Sequence, residues 1–311
     1  MKFGFGVDLG GTTVKLAYFD ETGSMLDKWE IPTNTADGGQ SILGDIAAAI
    51  DGYLADNGIL RQDIIGVGIG VPGAVNAQGV VAGCDNLGWG RFNVAEKLQE
   101  LTGFPVKAGN DANVAALGEA WKGGGQGYSD MLLVTLGTGV GGGLVIGGKV
   151  LHGTTGAAGE IGHLVLNRNE TRRCNCGKRG CVEQYCSATG LVRMAKDYLE
   201  ETGAASCLKE RESLTCKDVF DGAAAGDEAA REILQRVYAY MGEFIANLCI
   251  VLNPQAVVIG GGVSKAGQTL IDGIRLHFDR YIYHASKEVE FRLASLGNDA
   301  GAYGAFKLIL D

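Results

Sequence analysis

Short apolar runs and helical patterns alternate along the first third of the chain. The apolar runs predict strands at residues 3–9, 14–19, 25–31, 64–69 and 105–108. Ile42, Ile46, Ile50 and Leu54 recur every four residues, as on the buried face of a helix, and residues 94–101 predict a second helix. Strands that alternate with helices in this way are typical of an α/β domain.

The remaining two thirds repeat this alternation with longer helices. Asn110–Asp111 open a helix that the glycines at 123–125 stop, and Asp227 is a good N-cap for a long helix that Asn253–Pro254 ends. The segment 188–253 reads as mostly helical. Further strands are predicted at residues 131–136, 142–146, 256–259 and 289–293, and further helices at 266–281 and 300–310.

One internal similarity suggests that the chain contains two related halves. The segment Val7–Thr13 (VDLGGTT) resembles Val134–Val140 (VTLGTGV), since each has an apolar strand, a turn of glycine and threonine, and then a second apolar strand. Two related α/β halves, each offering such a turn, are expected to face each other across a cleft. A pair of unrelated glycine hairpins is the alternative.

Composition, charge and the length of the apolar runs exclude several classes of protein. Of the 311 residues, 46% are hydrophobic and 20% are charged, so the chain can bury a large core. The net charge of −9 argues against a general nucleic-acid or anionic-membrane surface. The N-terminus lacks the pattern of a signal peptide, and no apolar run reaches the roughly 18 residues that span a bilayer, so a cytoplasmic protein is expected. Its 8 cysteines are then expected to be thiols or metal ligands rather than disulfides.

Glycine makes up 51 of the 311 residues, and two glycine turns have the chemistry of phosphate sites. In Gly10-Gly11-Thr12-Thr13 and in Gly137-Thr138-Gly139, backbone N–H groups can converge without Cβ atoms in the way, and threonine hydroxyls add donors. Asp8, beside the first turn, could hold Mg²⁺ directly or through water. Lys15 lies two residues past that turn, and its charge faces either the phosphates or solvent.

Two matches to the dinucleotide pattern GxGxxG, at residues 68–73 and 137–142, are not expected to bind NAD. That fingerprint needs a helix directly after it, and strand-like sequence follows both matches. The chain also lacks a GxxxxGK[ST] motif, which excludes a P-loop nucleotide site.

Two interpretations are open for Asp111, in the segment GNDANVAALGE. As an N-cap, its carboxylate would satisfy backbone N–H groups of the helix that starts there. As a carboxylate at the C-terminal end of a strand, it could instead accept the proton of a substrate hydroxyl while that oxygen attacks a γ-phosphoryl group. Asn110 beside it could hydrogen-bond a second hydroxyl.

His163, Cys174, Cys176 and Cys181 have the spacing H-x₁₀-C-x-C-x₄-C. Three thiolates and one imidazole fill a tetrahedral Zn²⁺ site and leave no position for water, so a structural zinc ion is predicted. A cluster of free thiols is the alternative, and Cys186 is a further candidate ligand. Glu160 and Glu183 flank this loop, where carboxylates could accept the paired hydroxyls of a sugar.

Together these segments resemble the ROK family, whose name covers bacterial repressors, open reading frames and sugar kinases. The resemblance covers essentially the whole chain and is carried by DLGGTTVK (8–15), GNDANVAALGE (109–119), TLGTGVGGG (135–143), GEIGH (159–163) and CNCGKRGCVE (174–183). It implies an actin-like, ribonuclease H-like ATPase fold with two α/β domains that flank an active-site cleft. The smaller domain would cover residues 1–109 plus 299–311. The larger would cover 110–298, with the zinc loop and dimerisation helices.

The resemblance also implies roles for individual residues. Asp111 matches the family's catalytic base. The family's zinc ligands are matched by His163, Cys174, Cys176 and Cys181. The positions expected to bind the sugar are Gly73, Asn86, Asn110, Asp111, Glu160, His163 and Glu183. The two glycine turns match the phosphate loops, and Gly260–Gly262 match the adenosine-side loop. With Asp8 and Lys15, the expected ATP-site residues are Gly10, Gly11, Thr12, Thr13, Gly137, Thr138, Gly139, Gly261 and Gly262.

The activity implied is ATP- and Mg²⁺-dependent phosphorylation of the 6-hydroxyl of a hexose. Glucose is the expected acceptor, because the family's Gram-positive enzymes for that sugar contain closely similar sequence motifs, including NDANVAALGE. Another acceptor (N-acetylmannosamine, N-acetylglucosamine, mannose, allose or, least of all, fructose) and a non-catalytic sugar-binding protein are the alternatives. A sugar-sensing repressor is not expected, because the first strand begins at Phe3 where a DNA-binding module would precede it. A homodimer or homotetramer is expected from the family alone, with no nucleic-acid or membrane partner.

Overall fold

A computed structural model describes residues 1–311 as two compact units. Unit 1 contains residues 1–130, 143–159 and 296–311, and unit 2 contains residues 131–142 and 160–295. Neither unit is one continuous stretch of sequence. Each is described below by itself.

The strands are, in chain order, β1 (Phe3–Leu9), β2 (Thr13–Asp20), β3 (Met25–Pro32), β4 (Ile64–Val71), β5 (Val80–Val81), β6 (Phe92–Asn93), β7 (Val106–Asn110), β8 (Met131–Leu136), β9 (Val140–Ile146), β10 (Lys149–Val150), β11 (Ala256–Gly260) and β12 (Glu290–Leu293). The helices are α1 (Ile42–Asp56), α2 (Val94–Thr102), α3 (Asp111–Lys122), α4 (Glu183–Cys186), α5 (Ala188–Thr202), α6 (Cys216–Ala224), α7 (Glu228–Leu252), α8 (Gln268–Tyr281) and α9 (Ala300–Leu310).

The sheet of unit 1 has the order β3–β2–β1–β4–β7. β1 and β2 form an antiparallel hairpin, β4 is parallel to β1, and β7 is parallel to β4. Gly6 and Gly68 are paired in register, and a Cβ at either position would overlap backbone atoms of α9. These two glycines therefore let α9 lie directly on the centre of the sheet.

The side chains of β1 alternate between the two faces of this sheet, as the period of a strand requires. Phe5, Val7 and Leu9 join the buried core with α1. Asp8 lies on the other face, where the start of α9 approaches so closely that a Cβ on Gly301 would be 2.5 Å from the carboxyl carbon. The fold thus places an acidic side chain beside the N-terminus of a helix.

The second sheet has the order β10–β9–β8–β11–β12, and the division into units falls within β9. β11 runs parallel to both β8 and β12, and β10 pairs antiparallel with β9. This order repeats that of the first sheet strand for strand. The internal similarity seen in the sequence therefore reflects two sheets of the same topology.

The predicted elements agree with the observed ones to within a few residues. The long helix α7 has Asp227 as its N-cap and ends at Asn253, which adopts a left-handed conformation with φ 45°. The short strands β5, β6 and β10 were not predicted.

The predicted domain boundaries differ from the observed units. The sequence assigns residues from 110 onward to the larger domain, whereas the compact unit 1 includes residues 110–130 and 143–159. The sequence-based boundary stays a prediction. Among the helices of the chain, none is both long and apolar enough to cross a membrane.

Candidate functional site

The first glycine turn, residues 10–13, joins β1 to β2 in unit 1. Gly10 N–H donates to the carbonyl of Thr13 at 3.0 Å. Thr33, just after β3, donates its hydroxyl to the Gly10 carbonyl at 2.7 Å and its N–H to the Thr12 carbonyl at 2.9 Å. The carbonyls of Gly10 and Thr12 are therefore held by the residue that follows β3, and Gly11 and Thr12 are exposed to solvent. An anion-binding turn needs this arrangement, in which carbonyls point away and N–H groups remain accessible.

Asp8 and Lys15 lie opposite each other on the β1–β2 hairpin. Lys15 Nζ is 4.0 Å from Asp8 Oδ2, and it also donates to the Asn298 carbonyl at 3.4 Å. Burial raises the pKa of the Asp8 carboxyl, and the Lys15 charge opposes that rise. Lys15 thus points towards Asp8 and not only into solvent. A mostly buried carboxylate that its weak ion pair only partly stabilises is a fitting ligand for a divalent cation.

Asn110 and Asp111 lie where β7 ends and α3 begins. Asn110 is the N-cap: its Oδ1 accepts from Asn113 N–H at 3.1 Å. The interpretation of Asp111 as the N-cap is therefore wrong, because the preceding residue has the extended backbone that a cap requires. One carboxylate oxygen of Asp111, Oδ1, accepts from Asn110 Nδ2 at 2.9 Å and from Ala112 N–H at 2.8 Å. These two donors orient a half-buried carboxylate at the end of a strand.

Gly73 and the loop that carries Asn86 belong to the same part of unit 1. Asn110 Nδ2 also donates to the Gly73 carbonyl at 2.9 Å, so the side-chain amide of Asn110 contacts both Gly73 and Asp111. Asn86 is exposed in a short loop closed by hydrogen bonds between Cys84 and Trp89. Burial raises the pKa of the Cys84 thiol, and the nearby charge of Asp111 raises it further. No sequence pattern predicted that this thiol lies near the candidate base.

The second glycine turn, residues 137–139, joins β8 to β9 in unit 2. Gly137 N–H donates to the Gly139 carbonyl at 3.0 Å, whereas the bond that closes the first turn runs from Gly10 N–H to the carbonyl of Thr13. Ala188 N–H donates to the Gly137 carbonyl, and the Thr189 hydroxyl donates to the Thr138 carbonyl, each at 2.8 Å. This turn is therefore held by the first residues of α5.

Glu183, the first residue of α4, lies against the same turn. Its Oε2 accepts from Val140 N–H at 3.1 Å, and its Oε1 is 3.8 Å from Cys174 Sγ. A Cβ on Gly139 would overlap the Glu183 carboxylate, so glycine is needed at that position for this contact. Glu183, predicted as a sugar ligand, thus also connects the turn to the cysteine loop.

His163, Cys174, Cys176 and Cys181 form a cluster whose ligand atoms all lie within 4.8 Å of one another. Cys176 Sγ is 3.6 Å from Cys181 Sγ, and Cys174 Sγ is 3.8 Å from His163 Nδ1. Tetrahedral zinc, with Zn–S near 2.3 Å and Zn–N near 2.0 Å, would place its ligand atoms about 3.6–3.8 Å apart. The donor set and its spacing therefore fit zinc. Cys186, the alternative ligand, is buried on α4 and lies outside the cluster.

Burial and the neighbouring sulfurs raise the pKa of the Cys181 thiol to about 12. A metal ion that binds here must therefore displace protons, which makes binding weaker in acid. His163 presents its other ring nitrogen, Nε2, to Glu160, whose Oε2 is 4.0 Å away. The Glu160 side chain is 52% exposed and so remains accessible to a ligand.

Gly261 and Gly262 follow β11 in unit 2. Gly261 has φ +82°, and a Cβ on it would lie within 2.5–2.7 Å of the backbone of Leu136, the residue before the second turn. Gly262 has open space around it. The predicted adenosine-side loop and the second phosphate turn therefore lie side by side.

The structure thus brings the predicted residues together in two groups, one in each unit. Unit 1 holds the first turn with Asp8, and the group of Gly73, Asn110 and Asp111. Unit 2 holds the second turn with Glu183, the cysteine cluster with His163 and Glu160, and the Gly261 loop. Sequence reasoning missed Thr33 and Thr189, because an isolated threonine carries no motif that marks it as a support for a turn.

Comparisons with known proteins identify the family of this chain. Residues 4–311 match the model of the ROK family. A glucokinase of Halalkalibacterium halodurans is 47% identical over 98% of this chain and 94% of its own length. A glucokinase of Streptomyces coelicolor is 34% identical over 99% of this chain and 98% of its own. A solved ROK family glucokinase from Streptomyces griseus, in complex with glucose and AMPPNP, covers 98% of both chains with a TM-score of 0.76 and 34% identity.

Proposed function

This chain belongs to the ROK family, and from that premise we propose that it transfers the γ-phosphoryl group of ATP to the 6-hydroxyl of glucose. It is a sugar kinase, and it has the actin-like ATPase fold of the family's kinases, as expected from the sequence. The relatives named as glucokinases span nearly the whole chain, which supports glucose as the acceptor.

The main observation in support of the proposed chemistry is that Asn110 and Asp111, although adjacent, have different structural roles. Asn110 caps α3, so the Asp111 carboxylate is not needed for that purpose. Donors from Asn110 and Ala112 orient the carboxylate at Oδ1. A carboxylate held in this way can accept the proton of the sugar 6-hydroxyl while that oxygen attacks the γ-phosphorus. Asp111 is therefore assigned as the general base.

The remaining residues are assigned to binding. Asn110, Glu160, His163 and Glu183 offer the amide, imidazole and carboxylate groups that hydrogen-bond sugar hydroxyls, with Gly73 and Asn86 in the adjoining loops. The two glycine turns offer N–H groups to the phosphates of ATP, and Gly261 and Gly262 adjoin the second turn. Asp8, beside the first turn, would hold Mg²⁺, which when bound offsets the negative charge of the phosphates. Lys15 contributes through its contact with Asp8.

The cysteine cluster is assigned to a structural zinc ion held by His163, Cys174, Cys176 and Cys181. Four protein ligands leave no position for a reacting water, so these residues support the fold of the loop and not the chemistry. Through Nδ1 the ion would fix the ring of His163, whose Nε2 then faces the sugar-binding side next to Glu160. The homodimer or homotetramer and the cytoplasmic location expected from the sequence stay predictions.

The test is ATP-dependent phosphorylation across glucose, mannose, fructose, allose, N-acetylglucosamine and N-acetylmannosamine, with Mg²⁺ present. We expect the highest kcat/KM for glucose, with glucose 6-phosphate as the product by NMR. A higher kcat/KM for an N-acetylated sugar would replace glucose by that acceptor and leave the base assignment in place. No turnover with any of these sugars would reject the proposed function.

A further inference from the structure

The segment from Glu183 to Thr189, which directly follows the last cysteine of the zinc cluster, carries a role that the sugar-binding assignment does not include. We infer that Thr189, together with Glu183, is a positioning residue for the second glycine turn and thereby sets the affinity for ATP. The inference rests on the proposed function in one respect: the turn at residues 137–139 is taken to contact the phosphates.

The direction of two N–H groups in this turn depends on two carbonyl contacts. In a planar trans peptide the C=O and the following N–H point in opposite directions. The Ala188 N–H holds the Gly137 carbonyl, so the Thr138 N–H must point away from α5. The Thr189 hydroxyl holds the Thr138 carbonyl at 2.8 Å, so the Gly139 N–H must also point away from α5.

These contacts matter because the turn contains glycine on both sides of Thr138. Glycine has access to conformations that other residues avoid, so peptide planes next to it rotate easily. A rotation of the peptide between Thr138 and Gly139 would exchange the N–H for a carbonyl oxygen. That oxygen carries partial negative charge and would repel a phosphate. The Thr189 hydroxyl opposes this rotation directly.

Glu183 holds the other end of the same turn. Its Oε2 accepts from Val140 N–H, and its Oε1 lies near Cys174 Sγ. Only Val182 separates Glu183 from the zinc-ligating Cys181. The Ser187 side chain, which caps α5 and accepts from Gly190 N–H at 2.9 Å, donates to the Glu183 carbonyl at 2.7 Å. The segment is thus a connected support that runs from the metal cluster to the turn.

The decisive variant is Thr189→Val, because valine keeps the shape of the side chain and removes the hydroxyl. Thr189→Ser keeps the hydroxyl and serves as the conservative rescue. Thr202→Val is the matched control: it removes a hydroxyl from the C-terminal end of the same helix, where that hydroxyl donates to the Tyr198 carbonyl and accepts from Ala204 N–H. Each protein is purified with its zinc, and three quantities are measured: the Kd for AMPPNP by calorimetry, and KM for ATP and for glucose.

We expect Thr189→Val to raise the Kd for AMPPNP and the KM for ATP about three- to tenfold, the effect of one lost hydrogen bond. The KM for glucose should stay within twofold, Thr189→Ser should restore wild-type values, and Thr202→Val should match the wild type. Unchanged AMPPNP binding in Thr189→Val would overturn the inference, and so would equal losses for ATP and glucose. If the wild type phosphorylates no sugar but Thr189→Val still weakens AMPPNP binding, the proposed function fails and this inference stands.

Discussion

The two glycine turns resemble each other in sequence and in backbone hydrogen bonding, but they are supported by different parts of the chain. Each turn closes with a 3.0 Å bond from its first glycine N–H, and in each a threonine hydroxyl outside the turn holds a carbonyl. For the first turn that threonine is Thr33, at the end of the neighbouring strand. For the second it is Thr189, in a helix that follows the cysteine loop.

The acidic side chains at the two turns differ in the same way. Asp8 belongs to the strand that leads into the first turn, and its ion-pair partner Lys15 comes from the same hairpin. Glu183 comes to the second turn from α4, and it touches the cysteine cluster as well. The first turn is therefore maintained by the sheet alone, whereas the second depends on a loop that metal binding is expected to order. Zinc loss should affect only one of two otherwise similar turns.

The largest expected effect is a loss of kcat on substitution of Asp111, which belongs to neither glycine turn. This variant tests whether the chemical step is independent of the way the two turns are supported. Asp111→Asn keeps an oxygen that can accept from Asn110 and Ala112, but the amide cannot take up a proton. We expect kcat to fall about 10²- to 10⁴-fold, the usual contribution of a general base. The Kd for AMPPNP and the zinc content should remain those of the wild type. A kcat within tenfold of the wild type would remove Asp111 from the role of base.

Cys176→Ser should give the next largest effect, because it removes one of four metal ligands. Elemental analysis should find about one zinc per chain in the wild type and markedly less in the variant. Since binding of a structural zinc ion is coupled to folding, the midpoint of thermal unfolding should also fall. We expect AMPPNP binding to weaken by more than tenfold as the support of the second turn is lost.

The matched control for this variant is Cys207→Ser, an exposed cysteine outside the cluster. Its backbone N–H, which bonds to Asp227, is unaffected by the substitution. This control should retain zinc and bind AMPPNP as the wild type does. Full zinc content in Cys176→Ser would disprove the ligand set, and normal AMPPNP binding without zinc would show that the second turn does not depend on the metal.

The sequence was informative where local spacing determines the structure. The strand–turn–strand pattern around residues 7–13 and 134–140 predicted both turns, and the spacing of His163 and the cysteines predicted the cluster. Lys15 could have been assigned as well: antiparallel pairing around Gly11–Thr12 puts residue 15 opposite residue 8. Local pattern was sufficient here because the interacting residues are close in the chain or share a regular repeat.

The sequence was uninformative where distant segments meet. Thr33 and Thr189 are ordinary threonines, and their contacts with the turns exist only because β3 and α5 return to them in the folded chain. The two interpretations of Asp111 were also open at the level of sequence, since both Asn110 and Asp111 are suitable N-cap residues and only the backbone conformation distinguishes them. Such contacts depend on tertiary structure and leave no periodic signal.

Thr33→Val should weaken ATP binding about as much as Thr189→Val, roughly three- to tenfold, but with a different dependence on zinc. Thr33 loses its hydroxyl bond to the Gly10 carbonyl and keeps its N–H bond to Thr12. In the Cys176→Ser background the Thr33→Val effect should be unchanged, because the first turn has no link to the metal. The Thr189→Val effect should shrink in that background, since the support it belongs to is already lost.

The Kd for AMPPNP is measured for each threonine variant with and without Cys176→Ser, and for the wild type and Cys176→Ser alone. Independent sites give additive free energies, and residues in one network do not. If both threonine variants were additive with Cys176→Ser, the two turns would be supported in the same way. The difference drawn between them would then be wrong.

The smallest effect concerns a support of α4 that does not involve the metal. Glu170 lies buried in the cysteine loop and accepts hydrogen bonds from Arg172 and from the Tyr185 hydroxyl. Tyr185 belongs to α4, and its hydroxyl is 2.6 Å from the Glu170 carboxylate. The Arg172 hydrogen bond is the main cause that lowers the pKa of Glu170 from 4.5 to about 2. Because the folded pKa lies below the unfolded one, the ionised carboxylate stabilises the protein fully above about pH 4.5. That stabilisation is lost as the pH falls towards 2.

The free energy of unfolding of Glu170→Gln, compared with that of the wild type from pH 6 to pH 3, isolates this contribution, because loss of zinc in acid affects both proteins. We expect a difference of about 1–2 kcal/mol at pH 6, discounted for the solvent that screens the half-exposed Arg172, and a smaller difference at pH 3. Glu200→Gln, on the exposed surface of α5, should show no such pH dependence. A difference that is constant with pH would mean that Glu170 supports α4 by shape and hydrogen bonding alone. The second turn would then have a support that depends neither on the metal nor on pH. In that respect it would resemble the first turn, which the sheet supports without a metal.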